Sequence, residues 1–172
     1  PRKNLLALFA ALAELSRQHR SVHLAIAGKK GWLYESLFAR VRQLGLKKLV
    51  HFLGYVPQQD LPALISGARV FVLPSLYEGF GLPVLEAMAC GTPVICSDVS
   101  SLPEVAGDAA ILVSPHDTDQ LAQALRRVLD DDGLRDELAQ RGLRRAKQFS
   151  WQRSAQQTMQ ILQGMAKTPQ GE

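Results

Sequence analysis

Five short apolar runs separated by helical stripes constrain this chain more than any other feature. They are "VHLAIAG" at Val22–Gly28, "LVHFLG" at Leu49–Gly54, "ARVFVLPS" at Ala68–Ser75, "PVICS" at Pro93–Ser97 and "AAILVSP" at Ala109–Pro115. Runs of this length bounded by glycine, proline or serine read as strands, and near-continuous apolar character is expected when both faces are covered. The intervening segments repeat every three to four residues. Arg2–His19 carries Leu5, Leu8, Phe9, Leu12 and Leu15, and about Trp32–Leu44 carries Leu33, Leu37 and Val41. Pro57 opens a short helix containing Leu61, Leu64 and Ile65, as proline suits a first turn, and another helix runs from about Leu82 to Cys90. After the fifth run Asp117 caps a helix, with Gln120 as capping-box partner and Leu121, Leu125, Val128 and Leu129 on its buried face. A second helix carries Leu134, Leu138 and Ala146, and a third begins after Ser150, another N-cap. Strands alternating with helices imply an α/β fold: one parallel sheet flanked by helices on both sides, Rossmann-like, with three extra C-terminal helices.

At 172 residues the chain is one domain, expected over 1–166, with "KTPQGE" at 167–172 a disordered tail. It begins with Pro1, directly at a helical pattern, which points to a piece of something longer. A net charge of +4 with only 6% aromatic residues does not suit a nucleic-acid surface; an anionic small molecule or an acidic membrane surface fits at least as well. Cys90 and Cys96 form neither a disulfide framework nor a zinc pattern, read as small buried hydrophobes, and fit a reducing, cytoplasmic setting. No run approaches the ~20 apolar residues needed to span a bilayer.

In open parallel α/β sheets ligands bind beyond the carboxyl ends of the strands. Those ends here are Gly28-Lys29-Lys30-Gly31, then Gly54, Tyr55 and Val56, then Ser75–Leu82, then Ser97–Leu102. Lys3 joins them if a strand precedes Arg2. Glycines let a backbone approach closely, lysines bring positive charge, and a helix starting near Leu82 presents free N–H groups. Together they suit a diphosphate. A carboxylate such as Glu86 suits the vicinal diol of a ribose, and Glu78 could accept from hydroxyls of a second polar group. The pattern is a nucleoside diphosphate bearing a polyol. P-loop, G-x-G-x-x-G, G-x-S-x-G and H-E-x-x-H signatures are absent, and the four histidines are scattered without metal-ligand spacing, so neither metal nor cofactor is expected.

The stretch "PSLYEGFGLPVLEAMACGTPV" at Pro74–Val94 resembles the signature of the retaining GT-B glycosyltransferases called glycosyl transferases group 1. "PRKN" at Pro1–Asn4, "AGKKGW" at Ala27–Trp32, "FLGYVP" at Phe52–Pro57, "SSLPEVAGDAAILVSP" at Ser100–Pro115 and "FSW" at Phe149–Trp151 extend the likeness over nearly the whole chain. The resemblance implies the C-terminal, donor-binding half of a GT-B fold. A central strand and an N-terminal acceptor domain would precede it. It implies that Glu78 contacts the donor sugar near the reacting centre and that Glu86 binds the ribose hydroxyls. Gly79, Phe80, Gly81 and Leu82 would contact the sugar and distal phosphate. Lys3, with Arg2 beside it, would stabilise the departing diphosphate, and Gly54, Tyr55 and Val56 would lie at the base. "GKKGW" with "PRKN" is most similar to members using GDP-mannose for bacterial polysaccharides. The expected activity is hexose transfer from a nucleotide sugar to a glycan or lipid-linked acceptor, with the isolated half inactive. Peripheral contact at the inner membrane face is open.

Blander readings stand beside these. The alternative function is a non-catalytic nucleoside-diphosphate-binding module; a GT-B epimerase or phosphorylase fits less well. Glu86 alone could simply satisfy a helix dipole, and Lys29 and Lys30 could be a solvated basic turn. Trp151 reads as packing. Arg126, Arg127, Arg141, Arg144, Arg145 and Lys147, mixed with acidic residues, read as a solvated helical face.

Overall fold

All five apolar runs become parallel strands: β1 (Leu24–Ala27), β2 (Val50–Gly54), β3 (Phe71–Leu73), β4 (Val94–Ser97) and β5 (Ala110–Val113). The structure, a computed structural model, describes residues 2–17, 22–29 and 34–167. Helix α1 (Leu5–Arg17) precedes β1. Successive strands are joined by α2 (Tyr34–Gln43), α3 (Leu61–Ser66), α4 (Leu82–Ala89) and α5 (Leu102–Ala106). The closing helices are α6 (Thr118–Asp130), α7 (Asp132–Ala146) and α8 (Trp151–Lys167).

The expected single sheet is two hydrogen-bonded sheets, β1-β2 and β3-β4-β5. Between β1 and β3 lies a slot of about 910 Å³, bordered by Ala25 and Ile26 on one side and Val72 and Leu73 on the other. Nor is every strand covered on both faces. Burial alternates along β2, leaving His51 and Leu53 exposed. The short helix that follows, α3, packs on α4 instead. β4, in contrast, is buried throughout.

Helix α1 has two buried faces. Leu8, Ala11 and Leu15 pack with α6 and Ile95, while Phe9, Leu12 and Ala13 pack with Val41, Leu46 and Val50. On the opposite side of the larger sheet, Val84, Ala87 and Met88 of α4 meet Val94, Cys96, Leu102 and Val105. Each large aliphatic side chain so buried contributes about 1.5–3 kcal/mol. α4 and α7 approach closely at Gly142, where an added Cβ would stand 3.2 Å from Met88 Cγ.

Several local expectations shift. α1 begins at Leu5 rather than Arg2, because Asn4 takes a positive φ of 52° and its side-chain amide donates to the Pro115 carbonyl at 2.7 Å. α3 begins at Leu61, with Pro62 in its first turn; the Pro57 carbonyl closes the preceding turn by accepting from Asp60 and Leu61 N–H. The five-residue α5 was not foreseen. Asp117 does cap α6, accepting from Gln120 N–H at 2.8 Å, but the Gln120 side chain accepts from Ser114 N–H instead of closing a capping box. Ser150 caps α8, accepting from Arg153 N–H at 3.2 Å. Trp151 is 81% exposed rather than packed. Gln18, His19, Trp32, Leu33 and the tail from Thr168 lie outside the described residues. Among those described, no helix is long and apolar enough to cross a membrane.

Candidate functional site

Strand addition reverses between β1 and β3: β2 lies outward of β1, whereas β4 and β5 lie outward of β3. Such a switch point is where open α/β sheets bind ligands. The sequence candidates collect there in two groups, one on either side of the slot.

The first group is built around Glu78. Lys3 Nζ pairs with Glu78 Oε1 at 2.6 Å, across 75 positions of sequence. The Arg2 carbonyl accepts from Leu76 N–H at 2.9 Å, which fastens the N-terminal segment to the β3–α4 loop. Glu78 is only 6% exposed, and its Oε1 accepts a second hydrogen bond from the fully buried Ser75 hydroxyl at 2.6 Å. The next loop grips its backbone. Glu78 N–H donates to Ser100 Oγ at 3.0 Å, and Ser101 Oγ donates to the Glu78 carbonyl at 3.1 Å. Oε2 accepts from no protein donor among the described residues. Burial pushes the carboxyl pKa upward, but hydrogen bonds from Lys3 and Ser75 and the charges of Lys3 and Arg2 outweigh it. The pKa therefore lies below the usual carboxylate value.

The same loop turns into α4 at Gly81, whose φ of 99° puts it in the left-handed region. No side chain caps α4, Pro83 has no N–H, and Val84 N–H is taken by the Gly81 carbonyl at 2.9 Å. The N–H groups of Gly79, Phe80, Gly81 and Leu82 meet no protein acceptor among the described residues. With the positive end of the helix behind them they form a cradle for an anion. The Phe80 ring is half-exposed and stands edge-on to Phe149, 6.1 Å away. Glu86, exposed in the second turn of α4, borders the slot with Lys3 and Pro83.

The second group sits at the ends of β1 and β2. Gly28 N–H donates to the Gly54 carbonyl at 2.8 Å, and the Lys29 ammonium lies 5.5 Å from the centre of the exposed Tyr55 ring. Val56 follows, half-buried; Lys30 lies outside the described residues. The histidines are less scattered than expected. His23 and His51 stack with ring nitrogens 2.9 Å apart, at the amino ends of β1 and β2, away from both groups.

Ser75, Ser100 and Ser101 were legible only as residues following strands. Ser97, fully buried at the end of β4, holds a hydroxyl with no hydrogen-bond partner among the described residues. A buried carboxylate with one free oxygen can accept from a hydroxyl, and an ammonium beside four free amides can hold a phosphate.

Parallel strands, flanking helices and a polar cradle at the switch point define a Rossmann-like binding domain. The family described as Glycosyl transferases group 1 matches residues 1–145, and the chain belongs to it, as the C-terminal domain of a GT-B fold. O-antigen chain mannosyltransferase B of Escherichia coli is 46% identical over 160 residues, 92% of this chain and 42% of that protein. The MMP alpha-(1->4)-mannosyltransferase of Mycolicibacterium hassiacum is 41% identical over 167 residues, 94% of this chain and 40% of that protein. Among solved structures, Anabaena HepE in complex with UDP and glucose aligns with a TM-score of 0.87 at 25% identity, over 95% of this chain and 46% of that one. The chain thus spans 42% and 40% of the length of these two curated relatives.

Proposed function

We propose that this domain binds the donor of a retaining glycosyltransferase, which moves a hexose of mannose or glucose type from a nucleoside-diphosphate sugar to a glycan or lipid-linked acceptor. The observation that carries this reading is Glu78, a buried carboxylate beside Lys3 whose Oε2, like the four amides of Gly79–Leu82, has no partner among the described residues. In this reading Glu78 accepts from a sugar hydroxyl, and the Gly79–Leu82 amides hold the distal phosphate. Glu86 takes the ribose diol, Gly54, Tyr55 and Val56 face the base, and Gly28 and Lys29 contribute to the donor site beside them. Lys3 keeps two N–H groups beyond its bond to Glu78, and these, with Arg2, serve the departing diphosphate.

In this reading Glu78 acts through charge and hydrogen bonding at Oε2, and no nucleophilic step is assigned to it. Its Oε1 is engaged twice, and its lowered pKa makes it a weak base and an ineffective acid near neutrality. The acceptor oxygen then bonds to the anomeric carbon on the face from which the diphosphate leaves. The carbon–phosphate-oxygen bond breaks, and a leaving phosphate oxygen takes the acceptor's proton. Charge on that phosphate is stabilised by Lys3 and the amide cradle; losing one such contact costs about 3 kcal/mol in the barrier. We take GDP-mannose as the first donor to test, in keeping with two relatives that are mannosyltransferases. With the acceptor site on another domain, this one binds donor without turnover.

Calorimetry with GDP, UDP and ADP and their sugar conjugates tests the reading. Glu86→Ala is expected to weaken every nucleoside diphosphate, and Glu78→Ala only the sugar conjugates, each by roughly tenfold. Failure of a folded sample to bind any of the six overturns the assignment.

A further inference from the structure

The structure assigns Ser75, Ser100 and Ser101 as positioning residues that aim the free carboxylate oxygen of Glu78, and so set how the site distinguishes a sugar-bearing nucleotide from a bare one. The assignment rests on the donor-binding reading above. A glutamate on a loop rich in glycine has many rotamers, and fixing one of them costs conformational entropy when a ligand demands it. Here that ordering is built in beforehand. Ser75 holds Oε1 at 2.6 Å from a position with no solvent exposure, so the carboxylate plane is held at one oxygen by Ser75 and Lys3 together. Ser100 and Ser101 hold the N–H and carbonyl of the same residue at 3.0 and 3.1 Å, so its Cα cannot drift relative to the β4–α5 loop. With the backbone gripped on both sides and Oε1 engaged twice, Oε2 is the carboxylate oxygen left without a donor among the described residues.

A separate observation agrees. Ser100 adopts a φ of 53°, a left-handed conformation that a residue with a Cβ enters at a cost. Glycine would relieve that strain, yet serine stands there, and its hydroxyl is the group that accepts from Glu78 N–H. The strain is retained where the hydroxyl is used.

Calorimetry on the full chain with GDP and GDP-mannose, and with UDP and UDP-glucose, reads the sugar increment as the ratio of the two Kd values in each pair. Ser100→Gly is the informative variant. It is expected to melt no lower than the wild type while the sugar increment falls several-fold, which a merely structural serine would not produce. Ser100→Asn, which tolerates positive φ and offers a side-chain oxygen, is expected to restore it. Ser75→Ala is expected to lower the increment about tenfold and to raise the Glu78 carboxyl pKa measured by NMR without ligand. An unchanged increment in both Ser100→Gly and Ser75→Ala overturns the assignment while leaving the donor site standing. Absence of binding by all four probes overturns the donor site and this assignment with it.

Discussion

Replacing Gly81 by alanine puts two separate costs on one residue, and the geometry allows each to be sized. Its φ of 99° lies where a Cβ crowds the following carbonyl, a penalty of about 1–2 kcal/mol. The new Cβ would also stand 2.7 Å from Leu102 Cδ2, about 1 Å inside the ~3.5–4.0 Å at which carbon atoms rest. Leu102 has no solvent exposure and cannot swing outward, so overpacking adds about 1–3 kcal/mol. The sum is about 2–5 kcal/mol, against total stabilities of about 5–15 kcal/mol for domains of this kind. Urea unfolding of Gly81→Ala, Leu102→Ala and the double variant separates the terms. Leu102→Ala alone is expected to cost about 2–5 kcal/mol through its cavity. In the double variant the alanine Cβ finds room, so the combined loss should fall short of the sum by about 1–3 kcal/mol, the backbone term remaining. Additivity within ~0.5 kcal/mol would refute the claimed contact. It would mean that Gly81 is required for its dihedral angle alone.

Three further outcomes are expected. Glu78 has a folded pKa below its unfolded value, so its ion pair adds stability above the ordinary carboxylate range and loses it as pH falls through the folded value. Urea midpoints of wild type and Glu78→Gln should therefore converge in acid, and a gap that is constant from pH 7 to pH 3 would contradict this. Burial pushes the Cys96 thiol up to about 12, so a thiol reagent at pH 8 should modify Cys90 in the folded chain and Cys96 only after unfolding; two fast equivalents would show Cys96 to be accessible. Asp117→Ala removes the α6 cap and should cost about 1 kcal/mol in urea unfolding, whereas Asp119→Ala, two residues on in the first turn without that bond, should cost less.

Local order was legible because it is written in local periodicity. The β4 run "PVICS" and the α6 stripe of Leu121, Leu125 and Val128 are buried as their patterns require. Where expectations slipped, a contact from afar intervened or the element was too short to show a period. Asn4 reaches Pro115 and delays α1. α5 has five residues with a proline in its first turn, and no stripe can be read from five. The cradle too was visible as glycines and carboxylates after a strand, since strand ends are where such residues gather in any open parallel sheet.

The alternation of strand and helix, the glycine-rich loop before α4 and the placement of Glu78 beyond β3 were determined by sequence alone, because each depends on residues within a few positions. Tertiary structure decided the rest. It divided the five strands into two sheets, set Lys3 against a carboxylate 75 positions away, and gathered hydroxyls from two loops around that carboxylate. Hydrogen bonds of this kind depend on which strand ends lie side by side, and adjacency exists only once the chain has folded.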